Sequence, residues 1–350
     1  MVDIERTARR AYTYVRARRL RRPAIRLAIR SGVPTVYYAA PDYDVPSGGV
    51  RTMYRHVDVL NEAGVTAAIL HGRRGFRCTW FANRTRVTDL RSVALGPADL
   101  LVIAETDLRA VRGGGIRHVV FNQSGHLTWD TDPAGANAHY LGSPDLAGVM
   151  VVSEHSADLL RYAFGRRAHR VRLGIDPDLF CPPDVSNGRV ISYLPRRGRS
   201  DAERVLHLLR ARGALAGWTV DAVDGVGHEE VARRLRRSTV FLSTAYQEGF
   251  GLPAAEAMAC GNYVVGSHGF GGRELFGGGF SRSVPAGDLL AMAVAVEETL
   301  AFEAAEPGWC WSRGIRAARH VHAEYSLAAE RDSILDFFDR LRQPDRVDHA

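Results

Sequence analysis

Glu248 and Glu256 bracket the stretch Glu248-Gly-Phe-Gly-Leu-Pro-Ala-Ala-Glu256, with seven residues between them. Glycines at 249 and 251 let backbone N–H groups approach a ligand closely. The helix expected after them offers its partly positive N-terminus to an anion. Carboxylates that accept hydroxyl hydrogens, bare amides and a positive helix end together suit a sugar joined to phosphate.

The elements that must position these groups follow from pattern. Thr239 to Ser243 is a short β-branched and apolar run, which predicts a buried strand. Gly249, Gly251 and Pro253 force a loop, and Pro253 suits a first helical position. Ala254 to Cys260 is helix-forming, and Gly261 supplies the stop. Tyr263 to Gly266 predicts the next strand, and Gly269, Gly271 and Gly272 a second loop. Strand, loop, helix and strand in that order predict a βαβ unit of a parallel sheet. Ligands of such sheets bind at the carboxyl ends of the strands.

This stretch resembles the E-x7-E signature of retaining GT-B glycosyltransferases, in particular the GT4 group (glycosyl transferases group 1). The resemblance extends from about Gly48 to Asp288. It implies an α/β fold of two Rossmann-like domains facing across a cleft. It implies a retaining transfer of sugar from a nucleoside diphosphate sugar to an acceptor that the residues leave open: a glycolipid, a polysaccharide or a secondary metabolite. In that frame Glu256 holds the ribose, while Glu248 with Phe250 and Gly251 holds the sugar. Gly249, Leu252, Gly272 and Arg273 complete the donor contacts. No cofactor beyond the donor substrate and no metal are implied.

Two rival readings belong to other classes. One is a GT-B-fold epimerase acting on the sugar nucleotide, which needs acid/base groups that the sequence does not single out. The other is a non-catalytic sugar-nucleotide-binding subunit. The products separate the three.

Length and composition bound these readings. A chain of 350 residues, 46% hydrophobic and 24% charged, fits two soluble domains. No apolar run is long enough to span a bilayer, and the first residues lack a signal-peptide core. Cys78, Cys181, Cys260 and Cys310 are scattered without a CxxC pair, so neither zinc nor a disulfide framework is indicated. A cytoplasmic protein is expected, with the inner face of the membrane as a peripheral alternative. The net charge is +7, and every basic Lys/Arg position is Arg. Lysine avoidance with much Ala, Gly and Val is what a GC-rich bacterial genome encodes. Any phosphate-binding cation is therefore Arg, which forks bidentately onto phosphate.

Residues 1–32 concentrate arginine among Tyr12, Val15, Ile25 and Ile29. Such a segment suits an anionic membrane surface or a solvated helix. No recognised nucleic-acid motif accompanies the charge, so no nucleic-acid partner is expected. Thr35 to Ala39 predicts the first strand, and Ser47-Gly48-Gly49-Val50 opens a helix. Gly48 and Gly49 resemble the first glycine-rich loop of GT4 enzymes, which faces the donor diphosphate. After a strand at 118–121 come Gln123 and His126. The family places a histidine near the transferred sugar on this loop, and either residue here is a candidate for that catalytic position. The pairs Asp42/Asp44, Asp130/Asp132 and Asp176/Asp178 read as turn chemistry. Arg172 to Phe180 resembles the family segment at the end of the first domain, with Leu173 replacing its usual Asn.

The expected domains are a basic segment 1–32, an acceptor-side Rossmann-like domain 33–182, a nucleotide-sugar-binding domain 183–320 and a C-terminal helix 321–350 that crosses back to the first domain. Residues 181–188, rich in Pro, Ser and Gly, form the expected linker. Val190 to Leu194 predicts the first strand after it, with Arg196 and Arg197 at its carboxyl end as diphosphate contacts. The loop 225–228 is expected beside the nucleotide base by the same resemblance.

Overall fold

The computed structural model describes residue 25 and residues 33–111, 114–185, 188–196 and 198–342. Apart from Ile25, the expectations for segment 1–32 lie outside the described residues, as does Arg197. The chain divides into two compact units. The first comprises 1–151, 157–170 and 334–350; the second comprises 152–156 and 171–333.

The first unit is built on a seven-stranded sheet. Its strands are β1 (Val36–Ala39), β2 (Ala67–His71), β3 (Val87–Asp89), β4 (Leu100–Ala104), β5 (His118–Asn122), β6 (Leu146–Val151) and β7 (His169–Arg170). The order is β3-β2-β1-β4-β5-β6-β7, and every pairing is parallel. Strands of a parallel sheet are covered on both faces, so they read as continuous apolar runs. Leu101, Val102 and Ile103 of β4 are fully buried, and so are Val119, Val120 and Phe121 of β5. Helix α1 (Gly48–Glu62) buries Val50, Met53, Tyr54, Val57 and Leu60. Asn61 ties its end to β2: the side chain donates to Val57 and Ala67 carbonyls and accepts from Ala67 N–H. Helix α2 is Pro133–Gly142, and α3 is Glu154–Phe164, whose residues from Ala157 onward belong to this unit.

The second unit holds β8 (Val190–Tyr193), β9 (Thr219–Ala222), β10 (Val240–Glu248), β11 (Tyr263–Phe270) and β12 (Ser281–Ser283). Their order is β12-β11-β10-β8-β9, again all parallel. The sequence direction reverses between β8 and β10, and that is where doubly wound sheets open a crevice for ligands. The helices are α4 (Arg199–Ala211), α5 (His228–Leu235), α6 (Leu252–Ala259), α7 (Leu289–Ala305) and α8 (Trp309–Glu324). Helix α9 (Leu327–Arg342) starts in the second unit, and its residues from Ile334 onward belong to the first. There Phe337 packs on Gly148, where a β-carbon would come within 3.1 Å of the ring, and its own ring lies 5.4 Å from that of His169. Among the described residues no helix is long and apolar enough to cross a membrane.

Candidate functional site

In the second unit, β10 and β11 both run further than their apolar runs predict. They continue past Ser243 and Gly266 to Glu248 and Phe270. Gly266 explains the extension. Its φ of 129° is open to glycine, and a β-carbon there would collide with the Ser243 carbonyl. The two backbones therefore stay in ladder, pairing Thr244 with Ser267 and Ala245 with His268. A bulge follows between Ala245 and Glu248, with Gln247 at φ 52° and Phe270 at φ 69°. Bulges of this kind re-aim side chains beside functional sites. The next close approach is at Gly271, where a β-carbon would strike the Gly249 carbonyl. The two glycine-rich loops are thus stacked backbone on backbone, and each shapes the other.

These loops line a small cleft of about 40 Å³ at the carboxyl ends of β8, β10 and β11. Arg196 contributes from the loop after β8, Glu248 from the bulge, and Gly251 with Pro253 from the start of α6. His268 and Gly272 close the far side. Arg196 is exposed. Arg273 is exposed too, at the head of a short 3-10 turn, Arg273–Leu275. Glu274 fixes that turn by accepting from the Glu154 amide at 3.0 Å and the Tyr325 hydroxyl at 3.1 Å.

Helix α6 begins at Leu252, with Gly251 preceding it in the left-handed region and Pro253 inside its first turn. It has no acidic residue in that first turn, although Glu248 lines the cleft beside its N-terminus. Residues 254–259 are buried all round, Glu256 included at 6% exposure. A carboxylate so buried needs a partner. His228, at the start of α5, supplies it: Nε2 lies 3.2 Å from Glu256 Oε1. The His228 ring stands edge-on to Phe180 at 4.9 Å between centroids. The loop 225–228 was expected near a nucleotide base; the structure places its last residue on Glu256.

The first unit carries its own cluster at the ends of β4 and β5. Glu105 follows β4 and is 4% exposed. Its carboxylate accepts from the Gln123 amide at 3.0 Å and the Ser124 amide at 3.1 Å. Burial pushes the Glu105 carboxyl up to about 7, against the lowering effect of those amides. Asn122 steadies the same turn by donating to Thr128 Oγ1 at 2.8 Å and the Tyr140 hydroxyl at 3.0 Å. Gln123 then reaches Gly49 at the start of α1, where a β-carbon would meet Gln123 Oε1 at 2.5 Å. Thr52 Oγ1 donates to the Gly48 carbonyl at 3.0 Å. Gly48, Gly49 and Gln123 therefore sit together, while His126 lies in the following 3-10 turn, Gly125–Leu127.

Glu105 and His268 are the residues that sequence reasoning missed, and for His228 it gave the loop but not the pairing with Glu256. Glu105 had one signal, an acid directly after the apolar run Leu100–Ala104. His268 had none beyond its place in the segment Gly266-Ser-His-Gly269.

The aspartate pairs serve loops. Asp42 Oδ1 accepts from the Gly72 amide and lies 3.0 Å from His71 Nδ1, and Asp44 accepts from the Thr79 amide at 2.8 Å. Asp132 caps α2, and Asp176 accepts from the Asp178 amide at 3.0 Å. Among the described residues no group of three or more His, Cys, Asp and Glu side chains gathers as a metal site.

Comparison with known proteins places this geometry. The family model described as "Glycosyl transferases group 1" matches residues 209–300, which include Glu248, α6 and both glycine-rich loops. Sucrose-phosphate synthase from Thermosynechococcus elongatus superposes with a TM-score of 0.66 at 16% identity, covering 90% of this chain and 100% of that one. Anabaena HepE, solved in complex with UDP-glucose, does so with a TM-score of 0.64 at 13% identity, covering 87% and 99%. The fold is GT-B, and the 209–300 stretch is similar to the glycosyl transferases group 1. A D-inositol 3-phosphate glycosyltransferase of Streptomyces bingchenggensis is 31% identical over 156 residues, covering 36% of this chain. The match spans about a third (34%) of that relative's length. Most residues lining the cleft fall in the 209–300 stretch, while Leu194 and Arg196 precede it.

Proposed function

We propose that this chain is a retaining glycosyltransferase that moves a sugar from a nucleoside diphosphate sugar to an acceptor, without a metal ion. The observation that carries the reading is the cleft of the second unit, where Arg196, Glu248, Gly251 and Gly272 converge at a topological switch point. The arrangement matches the donor's chemistry. Arg196, with Arg197 next in sequence, meets the diphosphate, and the N-terminus of α6 adds its partial charge. Such groups stabilise negative charge as the diphosphate departs, which is usually a large share of catalysis. Glu248, with the amides of Phe250 and Gly251, takes the sugar hydroxyls. Glu256 exchanges its histidine partner for the ribose hydroxyls. Gly48, Gly49 and Gln123 form the candidate ligand surface of the first unit, with His126 one turn further on.

The base of the donor is supported from outside the chain. HepE is solved with UDP-glucose, which makes UDP-sugars the first donors to try. The proposed place of action is the cytoplasm, with the arginine-rich residues 1–32 favouring an anionic membrane surface.

Product analysis tests the function. Purified protein is incubated with UDP-, GDP- and ADP-sugars and a panel of glycolipid, oligosaccharide and small-molecule acceptors, with EDTA present. The expected result is a glycoside of retained anomeric configuration and one equivalent of nucleoside diphosphate. An isomerised sugar nucleotide would make the chain an epimerase. Inverted product, or turnover that appears only when magnesium or manganese replaces EDTA, would refute the mechanism.

A further inference from the structure

His268 lies at the carboxyl end of β11 and lines the same cleft as Arg196, Glu248 and Gly272. One side of its ring is committed. The Phe270 amide donates to His268 Nδ1 at 2.9 Å. A ring nitrogen that accepts carries no proton, so the neutral ring bears its proton on Nε2. The edges of Phe270 and Phe276 flank the ring, each with an interplanar angle of 73° and centroids about 6 Å away (6.0 and 5.9 Å), which orients it. Burial foremost, and then the charges of Arg273 and His155, push its pKa below the usual histidine value. The result is a neutral, oriented imidazole in a pocket that also presents the Arg196 guanidinium, the Glu248 carboxylate, glycine backbone and the Ser243 and Thr244 side chains.

We infer that His268 is a donor-binding residue: its Nε2–H donates a hydrogen bond to an oxygen of the nucleoside diphosphate bound in the second unit's cleft. The inference rests on the proposed reading of that cleft. It adds a specific contact from a residue type that is uncharged when the ligand arrives. Arg196 supplies charge on a flexible stem; His268 supplies direction, because its second nitrogen is held by the Phe270 amide and cannot turn away without losing that bond.

Two substitutions separate this role from a purely structural one. In His268→Asn the amide oxygen falls close to the place of Nδ1, so the Phe270 amide keeps its acceptor while the Nε2–H is lost. In His268→Gln the longer side chain carries an N–H to the place of Nε2 and gives up the Nδ1 acceptor. The wild type and both variants are titrated calorimetrically with UDP, GDP and ADP, and their thermal unfolding is recorded.

The expected result is that His268→Asn unfolds with the wild type yet binds the preferred nucleotide about tenfold more weakly, as loss of one hydrogen bond to a charged group predicts. His268→Gln keeps most of the affinity and unfolds at lower temperature. Unchanged affinity in His268→Asn would overturn the inference while leaving the cleft's assignment intact. Equal loss of affinity and of stability in both variants would reduce His268 to a structural residue and overturn it as well. Failure of the wild type to bind any of the three nucleotides would remove the proposed function of the cleft, and the inference with it.

Discussion

Gln123 occupies the space that a side chain on residue 49 would need: its Oε1 lies 2.5 Å from where a β-carbon at Gly49 would stand. The two residues are 74 positions apart, at the ends of different strand–helix connections of one sheet. A side chain at 49 would thus displace the Gln123 amide group. The first testable consequence concerns this pair. Gly49→Ala must push Gln123 out of its rotamer, at about 0.5–1.5 kcal/mol, which is roughly a two- to tenfold loss of rate if Gln123 serves the transferred sugar. In a Gln123→Ala background the same substitution should cost nothing further. Kinetics of the two single variants and the double variant check this; full additivity of the two losses would contradict it.

Glu105 makes stability depend on pH. Its folded-state pKa is raised to about 7 from an ordinary carboxyl value of 4.5. Between those values the folded state binds more protons than the unfolded one, so stability falls as pH rises through the window. The penalty is absent below about pH 4.5 and fully expressed above about pH 7, on the order of 3 kcal/mol at one pKa unit per 1.36 kcal/mol. Glu105→Gln carries no titrating group. Denaturant unfolding of both proteins from pH 4.5 to 8 should show the wild type losing stability relative to the variant as pH rises. A pH-independent difference would refute the raised pKa.

Much of this architecture was legible as pattern, and the rest failed for identifiable reasons. Buried strands such as Leu100–Ala104 and His118–Asn122 announce themselves because both faces of a parallel sheet are covered. Three-residue edge strands such as Val87–Asp89 and Ser281–Ser283 do not, since they are short and only partly buried. The full length of β10 and β11 was hidden because it depends on Gly266 lying against Ser243, a tertiary contact. Glu248 and Glu256 stood out by spacing along one segment. The partner of Glu256 came from another helix, and no local pattern connects His228 to it.

Gly266→Ala should destabilise the second unit by more than about 2 kcal/mol. The position combines a φ of 129° with a β-carbon directed at the Ser243 carbonyl, so strain and collision add. Gly277→Ala is the control, because nothing lies within 4 Å of its β-carbon. Comparable unfolding midpoints for the two variants would contradict the close approach of β10 and β11 at Ser243 and Gly266.

The arginine-rich residues 1–32 should contribute to binding of anionic vesicles. Co-sedimentation with phosphatidylglycerol vesicles is expected to fall markedly when the chain begins at Val33, and to weaken with salt. Equal sedimentation of both chains would remove the membrane from the account.

The central claim is that the cleft beside Glu248 holds a sugar nucleotide whose ribose reaches the buried Glu256, and donor titration of two variants tests it most directly. The ribose is remote from the reacting carbon, so contacts of Glu256 count equally in ground and transition states and set KM. In the proposed complex Glu248 stands beside the sugar, where charge develops as the diphosphate leaves. A charge-assisted hydrogen bond is worth about 1.5–3 kcal/mol, or roughly ten- to a hundredfold. Glu256→Gln should therefore raise KM for the donor by that factor and spare kcat, while Glu248→Gln lowers kcat and spares KM. Wild-type kcat and KM in both variants would show that the donor binds elsewhere.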